Sequence, residues 1–218
     1  MPTEIRQPLS YLITSGETTP ATSPQSEEFA RLLAFVRAAT IARISLIQLR
    51  EKQLRPRVLY ELAARAAEIT SGTQTRLLVN DRADIARAAG ADGVQLATQS
   101  LPPQTIRQTF GEDFLIGVST HTLTEARAAR DDGADFAVFG PIFDTPSKRA
   151  FGPPLGLDAL RAAAHTLAPF PLVAIGGITL DNVAAVLHAS ASGIAAIRLF
   201  AEAKNLQQMV EKIERGRQ

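Results

Sequence analysis

The sequence has no cysteine, which excludes a disulfide framework and any metal site built on thiolates. It also lacks a surplus of either charge. Its 23 Lys and Arg residues face 22 Asp and Glu for a formal net charge of +1, so no broad basic face can neutralise the phosphates of a nucleic acid. Any anion must be gripped locally. No apolar run approaches the length of a membrane span, and the opening segment MPTEIRQPLS has neither the basic n-region nor the apolar h-region of a secretory leader. The expectation is a cytoplasmic protein with neither nucleic-acid nor membrane partners. With 45% hydrophobic residues among 218, the chain can bury one sizeable core, so one domain is expected over 1–218. Residues 1–10 and 214–218 are expected to fray.

What the sequence does have is a beat. Phe29, Leu32, Leu33 and Val36 fall at i, i+3, i+4 and i+7, one face of a helix. The run ISLIQL, 44–49, follows as a strand. Val58, Leu62, Ala66 and Ile69 mark the next helix, and RLLVN, 76–80, the next strand. The alternation continues through strands DGVQL (92–96), FLIGV (114–118), DFAVF (135–139), PLVAI (171–175) and GIAAI (193–197). Helical patterns lie between them, and a last one follows on Leu206, Met209, Val210 and Ile213. With YLIT at 11–14 there are eight strands. They read as near-continuous apolar runs, as expected when helices cover one face and packed interior the other. Three helix-to-strand joints resemble one another, AGADGVQL, DGADFAVF and SASGIAAI, and Gly90 and Gly133 suit the left-handed position that closes a helix. Eight βα beats in about 200 residues argue for a (β/α)8 barrel near the lower size limit of that fold. The alternative is an open doubly wound sheet, but the first strand is followed by SGETTP and not by the glycine-rich turn that opens a dinucleotide site.

In such a barrel the chemistry belongs at the strand ends. Alternation sends Gln48, Arg50 and Lys52 to one side of the second strand, an amide with two cations, although a strand exit of this kind is often simply solvated. The third strand ends in Asn80 and Asp81, which suit either a hard cation such as Mg2+ or the cap of the following helix. The stretch FGPIFDTPSKRAFGPPLG, 139–156, is longer than a compact barrel needs. Its Thr145, Ser147 and Lys148 offer the donors and the point charge that a phosphate-binding lid requires. Gly176 and Gly177 follow the seventh strand, and Ile197 and Arg198 the eighth, in the loops that commonly hold phosphate in this fold. Two anion sites result: one on Arg50, Lys52, Asn80 and Lys148, the other on Gly176, Gly177 and the Ile197 end. His165 and His188 lie in helix patterns, and no histidine pair is spaced for zinc.

As an ordered set, QLREK (48–52), NDRADIA (80–86), GVSTH (117–121), GPIFDTPSK (140–148) and AIGGIT (174–179) resemble the thiamine phosphate synthase and thiazole tautomerase superfamily from residue 11 to about 203. The resemblance implies a (β/α)8 barrel, and it implies Mg2+-dependent joining of hydroxymethylpyrimidine diphosphate to a thiazole phosphate with release of pyrophosphate. By motif, Gln48, Arg50, Lys52, Asn80 and Lys148 would hold the diphosphate, Asp81 the Mg2+, and Ser119 would face the leaving group. Thr145, Ser147, Gly177 and Ile197 would receive the thiazole phosphate, with Gly176 and Arg198 beside them. Three positions depart from the synthase pattern. Ser100 stands where a second metal-binding aspartate is usual, Asp144 where proline is usual, and Arg198 where serine is usual. The first two lean toward the tautomerase branch, in which His121 would shuttle a proton. A module that binds these phosphates without turnover is the remaining alternative. Barrels of this size often pair, so a homodimer is also an expectation.

Overall fold

The structure is a computed structural model that describes residues 8–145 and 153–216. Eight parallel strands close on themselves in sequence order: β1 (Leu9–Ile13), β2 (Leu46–Leu49), β3 (Arg76–Asn80), β4 (Gly93–Leu96), β5 (Leu115–Thr120), β6 (Phe136–Phe139), β7 (Leu172–Ile175) and β8 (Gly193–Ala196). Among the described residues, seven helices occupy the connections: α1 (Glu27–Ile41), α2 (Pro56–Thr70), α3 (Ala83–Ala88), α4 (Pro103–Phe110), α5 (Leu123–Asp131), α6 (Gly156–Leu167) and α7 (Val183–His188). A four-residue α8 (Arg198–Ala201) and a final α9 (Leu206–Arg215) follow β8. The barrel closes where β1 pairs with β8, Leu9 opposite Gly193 and Leu12 opposite Ala196. This is the (β/α)8 architecture the alternation of patterns implies.

Two apolar clusters explain why the strands read as unbroken runs. Leu9, Tyr11, Ile13, Leu46, Leu78, Phe136, Val138, Val173 and Ala195 fill the barrel's inside. The intervening residues, among them Leu12, Ile47, Leu77, Val79, Ala137 and Phe139, pack outward against the helices. Both parities are therefore apolar.

The three repeated joints share a conformation. Gly90 and Gly133 have φ of +74° and +87°, and Ser190 takes the same left-handed position at +69° without glycine's freedom. After two of these joints an aspartate ties neighbouring strands. Asp92 accepts from the Leu77 amide at 2.8 Å, and Asp135 accepts from the Ile116 amide at 2.6 Å while pairing with Arg107. Burial pushes the Asp135 carboxyl up, against the lowering effect of the Ile116 amide and Arg107.

Most strand bounds fall within two residues of the sequence reading, and three differences have a physical reason. Strand β1 begins at Leu9, inside the segment expected to fray, because Leu9 and Ser10 are both buried against their neighbours. Likewise α9 runs to Arg215, with Ile213 buried. Helix α8 went unread because four residues cannot display a helical period.

Candidate active site

The polar groups of the barrel collect at the C-terminal strand ends and begin inside it. Tyr11, fully buried, donates its hydroxyl to Gln95 Oε1 at 2.9 Å, with Gln48 Oε1 at 3.4 Å. Burial pushes its phenol well above the ordinary range, so the hydroxyl keeps its proton and acts as a donor. With both amide oxygens turned to Tyr11, both amide nitrogens face outward. Gln48 Nε2 donates to Asn80 Oδ1 at 2.9 Å, and Gln95 Nε2 donates to Ser119 Oγ at 3.1 Å. Polarity is thereby handed along two branches, and each ends in a group with protons to give: the Asn80 amide nitrogen and the Ser119 hydroxyl. Their other atoms are already accepting. Donors at the rim of a barrel are what an anionic ligand needs. Space for this network exists because residue 117 is glycine: a Cβ there would lie 2.4 Å from both Gln95 Oε1 and the Phe136 ring.

Beside this rim, β3 turns into α3 through Asp81, a non-glycine residue at φ +59° whose amide is fixed by the Gln95 carbonyl at 2.9 Å. The reading of Asn80 or Asp81 as a helix cap does not hold. The cap position is Arg82, it has no side-chain cap bond, and Arg82 is engaged with Asp84 in a two-pronged pair at 2.8 and 2.6 Å. That hydrogen bond with Arg82 holds the Asp84 carboxyl below its ordinary range. Asp81 instead accepts from Ser100 Oγ, and Ser100 in turn accepts from the Ala97 amide at 2.8 Å. The residue at the expected second aspartate position therefore touches Asp81, and the contact is made by a hydroxyl. Among the described residues, no three His, Cys, Asp or Glu side chains gather into a cage. One exposed carboxylate with a hydroxyl and an amide beside it fits a hard cation that keeps water and takes further oxygens from a phosphorylated substrate.

The strand-two cations follow the end of β2, the strand paired with β3, and the Arg50 guanidinium lies toward Gly16 of the connection after β1. Arg50 is half-buried, Lys52 is exposed, and between them Glu51 is buried. Sequence reasoning passed over Glu51, Tyr11 and Gln95. The last two carried a faint signal, a hydrogen-bonding group at an inward position of an apolar strand, whereas the partners of Glu51 are more than thirty residues away in the chain.

On the opposite side of the mouth the construction changes. Backbone of the connection after β6 lies directly on the end of β7 and the residue beyond it: the Ile142 amide donates to the Ile175 carbonyl at 2.8 Å and the Phe143 amide to the Gly176 carbonyl at 3.0 Å. Gly176 and Gly177, at φ +99° and +64°, leave no room for side chains. A Cβ would meet Pro141 Cβ at 2.6 Å from the first, and Phe143 Cβ at 2.7 Å and the Asp144 carbonyl at 2.8 Å from the second. Asn182 secures the far side, donating to the Gly177 carbonyl at 2.9 Å. Ile197 caps the short α8, and Arg198, its first residue, reaches Thr145 Oγ1 at 3.4 Å. His121 Nδ1 lies 2.5 Å from the Gly140 carbonyl, so Nδ1 carries the proton of the neutral ring, and the His121 amide is held by Glu125 at 2.6 Å. Ser147 and Lys148 lie outside the described residues.

Thus Gln48, Asn80 and Ser119 join one network, Asp81 and Ser100 adjoin it, and Gly176, Gly177, Thr145 and Arg198 form a second group on the same end of the barrel. A (β/α)8 barrel with a donor-rich rim on one side and, on the other, bare backbone after β7 beside Arg198 after β8 belongs to the class of barrels that hold phosphorylated small molecules at this face. The chain belongs to the thiamine monophosphate synthase family, whose profile matches residues 18–200. It is 46% identical over 165 residues to the thiamine-phosphate synthase of Anaeromyxobacter dehalogenans, covering 76% of this chain and 73% of that one. It is 43% identical over 165 residues to the thiamine-phosphate synthase of Moorella thermoacetica, covering 76% and 78%. The solved thiamine phosphate pyrophosphorylase of Pyrococcus furiosus superposes with a TM-score of 0.79 at 30% identity, over 94% of this chain and 93% of that one. No helix among the described residues is long and apolar enough to cross a membrane.

Proposed function

We propose that the protein is a Mg2+-dependent thiamine phosphate synthase, joining hydroxymethylpyrimidine diphosphate to thiazole phosphate. The observation that carries the reading is the donor-ended network at the rim, which is matched to an anion, adjoins Asp81 through Asn80 and runs through Gln48 on the strand that leads to Arg50 and Lys52. In the reaction the bond between the pyrimidine methylene carbon and the diphosphate oxygen breaks and pyrophosphate leaves with the electron pair. The thiazole nitrogen then forms a C–N bond to that carbon. The growing charge is on the leaving group, so the protein's task is to stabilise pyrophosphate as it separates.

Arg50, Lys52, the Asn80 amide and the Ser119 hydroxyl would meet the diphosphate oxygens, with Gln48 orienting Asn80. Asp81 would hold Mg2+, which when bound neutralises pyrophosphate charge. The bare backbone at Gly176 and Gly177, with Ile197, Thr145 and Arg198, would receive the thiazole phosphate. Ser147 and Lys148 keep the phosphate-binding roles their motif implies. His121 braces the Gly140 carbonyl in this reading and orders the base of the 139–156 connection; the synthase relatives make a proton-shuttling role unnecessary. The partners are phosphorylated small molecules, the cytoplasm is the setting that suits them, and a homodimer is open to a mass measurement.

Purified protein incubated with both substrates and Mg2+ should release thiamine phosphate and pyrophosphate in equal amounts. Absence of both products at high enzyme concentration would overturn the assignment.

A further inference from the structure

The buried acid between the two strand-two cations has no place in the reaction outlined above. Glu51 is 1% exposed, and among the described residues every hydrogen bond of its carboxylate is with the connection that leaves β1. Oε1 accepts from the Thr14 hydroxyl at 2.5 Å and the Gly16 amide at 3.3 Å; Oε2 accepts from the Thr18 hydroxyl at 2.6 Å and the Thr18 amide at 3.3 Å. These are four donors and no acceptor. The same Thr14 hydroxyl oxygen accepts from the Arg50 amide at 2.9 Å, so one residue is gripped by the main chain of Arg50 and the side chain of Glu51 together. Gly16, at φ +77°, packs so close that a Cβ would stand 3.1 Å from the Arg50 carbonyl and 3.7 Å from its guanidinium. The β1 connection is thus clamped onto the segment that carries both cations.

We propose that Glu51 is a positioning residue for the diphosphate: its buried carboxylate anchors the backbone from which Arg50 and Lys52 project, and so fixes where their charges stand. The inference rests on the proposed synthase reading. Its chemistry is specific, because only an acceptor on both oxygens satisfies four donors. An isosteric amide would turn an NH2 group against a hydroxyl or amide that also needs to donate, and a buried mismatch of that kind loosens the clamp without changing its volume.

The test is Glu51→Gln, with binding of inorganic pyrophosphate in the presence of Mg2+ measured by calorimetry alongside steady-state kinetics and melting temperature. The expected result is about tenfold weaker pyrophosphate binding and a matching rise in KM for the pyrimidine diphosphate. KM for thiazole phosphate should stay within about twofold, since that substrate meets the β6 to β8 side. Thr18→Val, which removes one of the four donors and keeps shape, should give the same pattern at about threefold and serves if Glu51→Gln does not fold. Equal pyrophosphate binding by wild type and variant would overturn the positioning role and leave the synthase reading standing. So would both KM values rising in proportion with a lowered melting temperature, which marks a purely structural residue. Conversely, a wild-type protein that bound pyrophosphate but made no thiamine phosphate would overturn the synthase reading, and the Glu51 comparison would still be readable in the binding data.

Discussion

The two halves of the barrel mouth solve one problem in opposite materials. Around β2, β3, β4 and β5 the groups that face a ligand are side chains, oriented by a hydrogen-bonded chain that starts at Tyr11 and ends at Asn80 and Ser119. Around β6, β7 and β8 the framework is main chain, brought close by Gly176 and Gly177 against Pro141 and Phe143, with the Thr145 and Arg198 side chains in contact beside it. The first kind can be adjusted by small substitutions, because each bond is one of several. The second fails at the addition of a single carbon, because backbone cannot move aside without shifting a strand end.

The sharpest way to break this contrast is Gly177→Ala. The new methyl would sit 2.7 Å from Phe143 Cβ in a left-handed backbone, a cost of roughly 1–3 kcal/mol from overpacking that lowers the melting temperature by roughly 3–8 °C. KM for thiazole phosphate should rise on the order of a hundredfold, and that for the diphosphate by less than about threefold. Comparable rises for both substrates would show that the halves are not separable. A gain is expected from Ser100→Asp, which sets a second carboxylate against Asp81, where a hydroxyl now touches it. The Mg2+ concentration for half-maximal rate should fall about tenfold; an unchanged requirement would remove position 100 from the metal's surroundings. The mildest change is Tyr11→Phe. The ring keeps its edge-on packing against Phe136 at 5.8 Å, and the loss of one buried donor, about 1 kcal/mol, should raise KM for the diphosphate about fivefold without moving that for thiazole phosphate. A fall in melting temperature with both constants unchanged would mean that Tyr11 serves packing alone.

The same contrast shows what the sequence made legible. Strand positions could be read because both faces of each strand are buried, which leaves runs such as RLLVN unbroken, and this one matches β3 residue for residue. The Gly-Gly pair after β7 was legible as well, since few other residues tolerate such close main-chain approach. The side-chain network was visible at its outer ends, Asn80 and Ser119, and at Gln48, but not as a connected chain. Its root, Tyr11, looks like any apolar strand residue until the barrel closes and places Gln95, 84 positions later, against its hydroxyl. Glu51 was obscured for a related reason. Alternation points it away from Arg50 and Lys52, and nothing local announces that Thr14, Gly16 and Thr18 will meet it there. The touch between Asp81 and Ser100 likewise needs the fold, because it spans two neighbouring strand ends.

Asp81 carries one further implication through its φ of +59°. A side chain in that region costs the folded state on the order of 1 kcal/mol relative to glycine, so the carboxylate is retained against the interest of thermal resistance. Under the proposed metal-binding role, robustness and turnover pull this position in opposite directions, and a laboratory lineage chosen for heat tolerance alone would be expected to surrender it early.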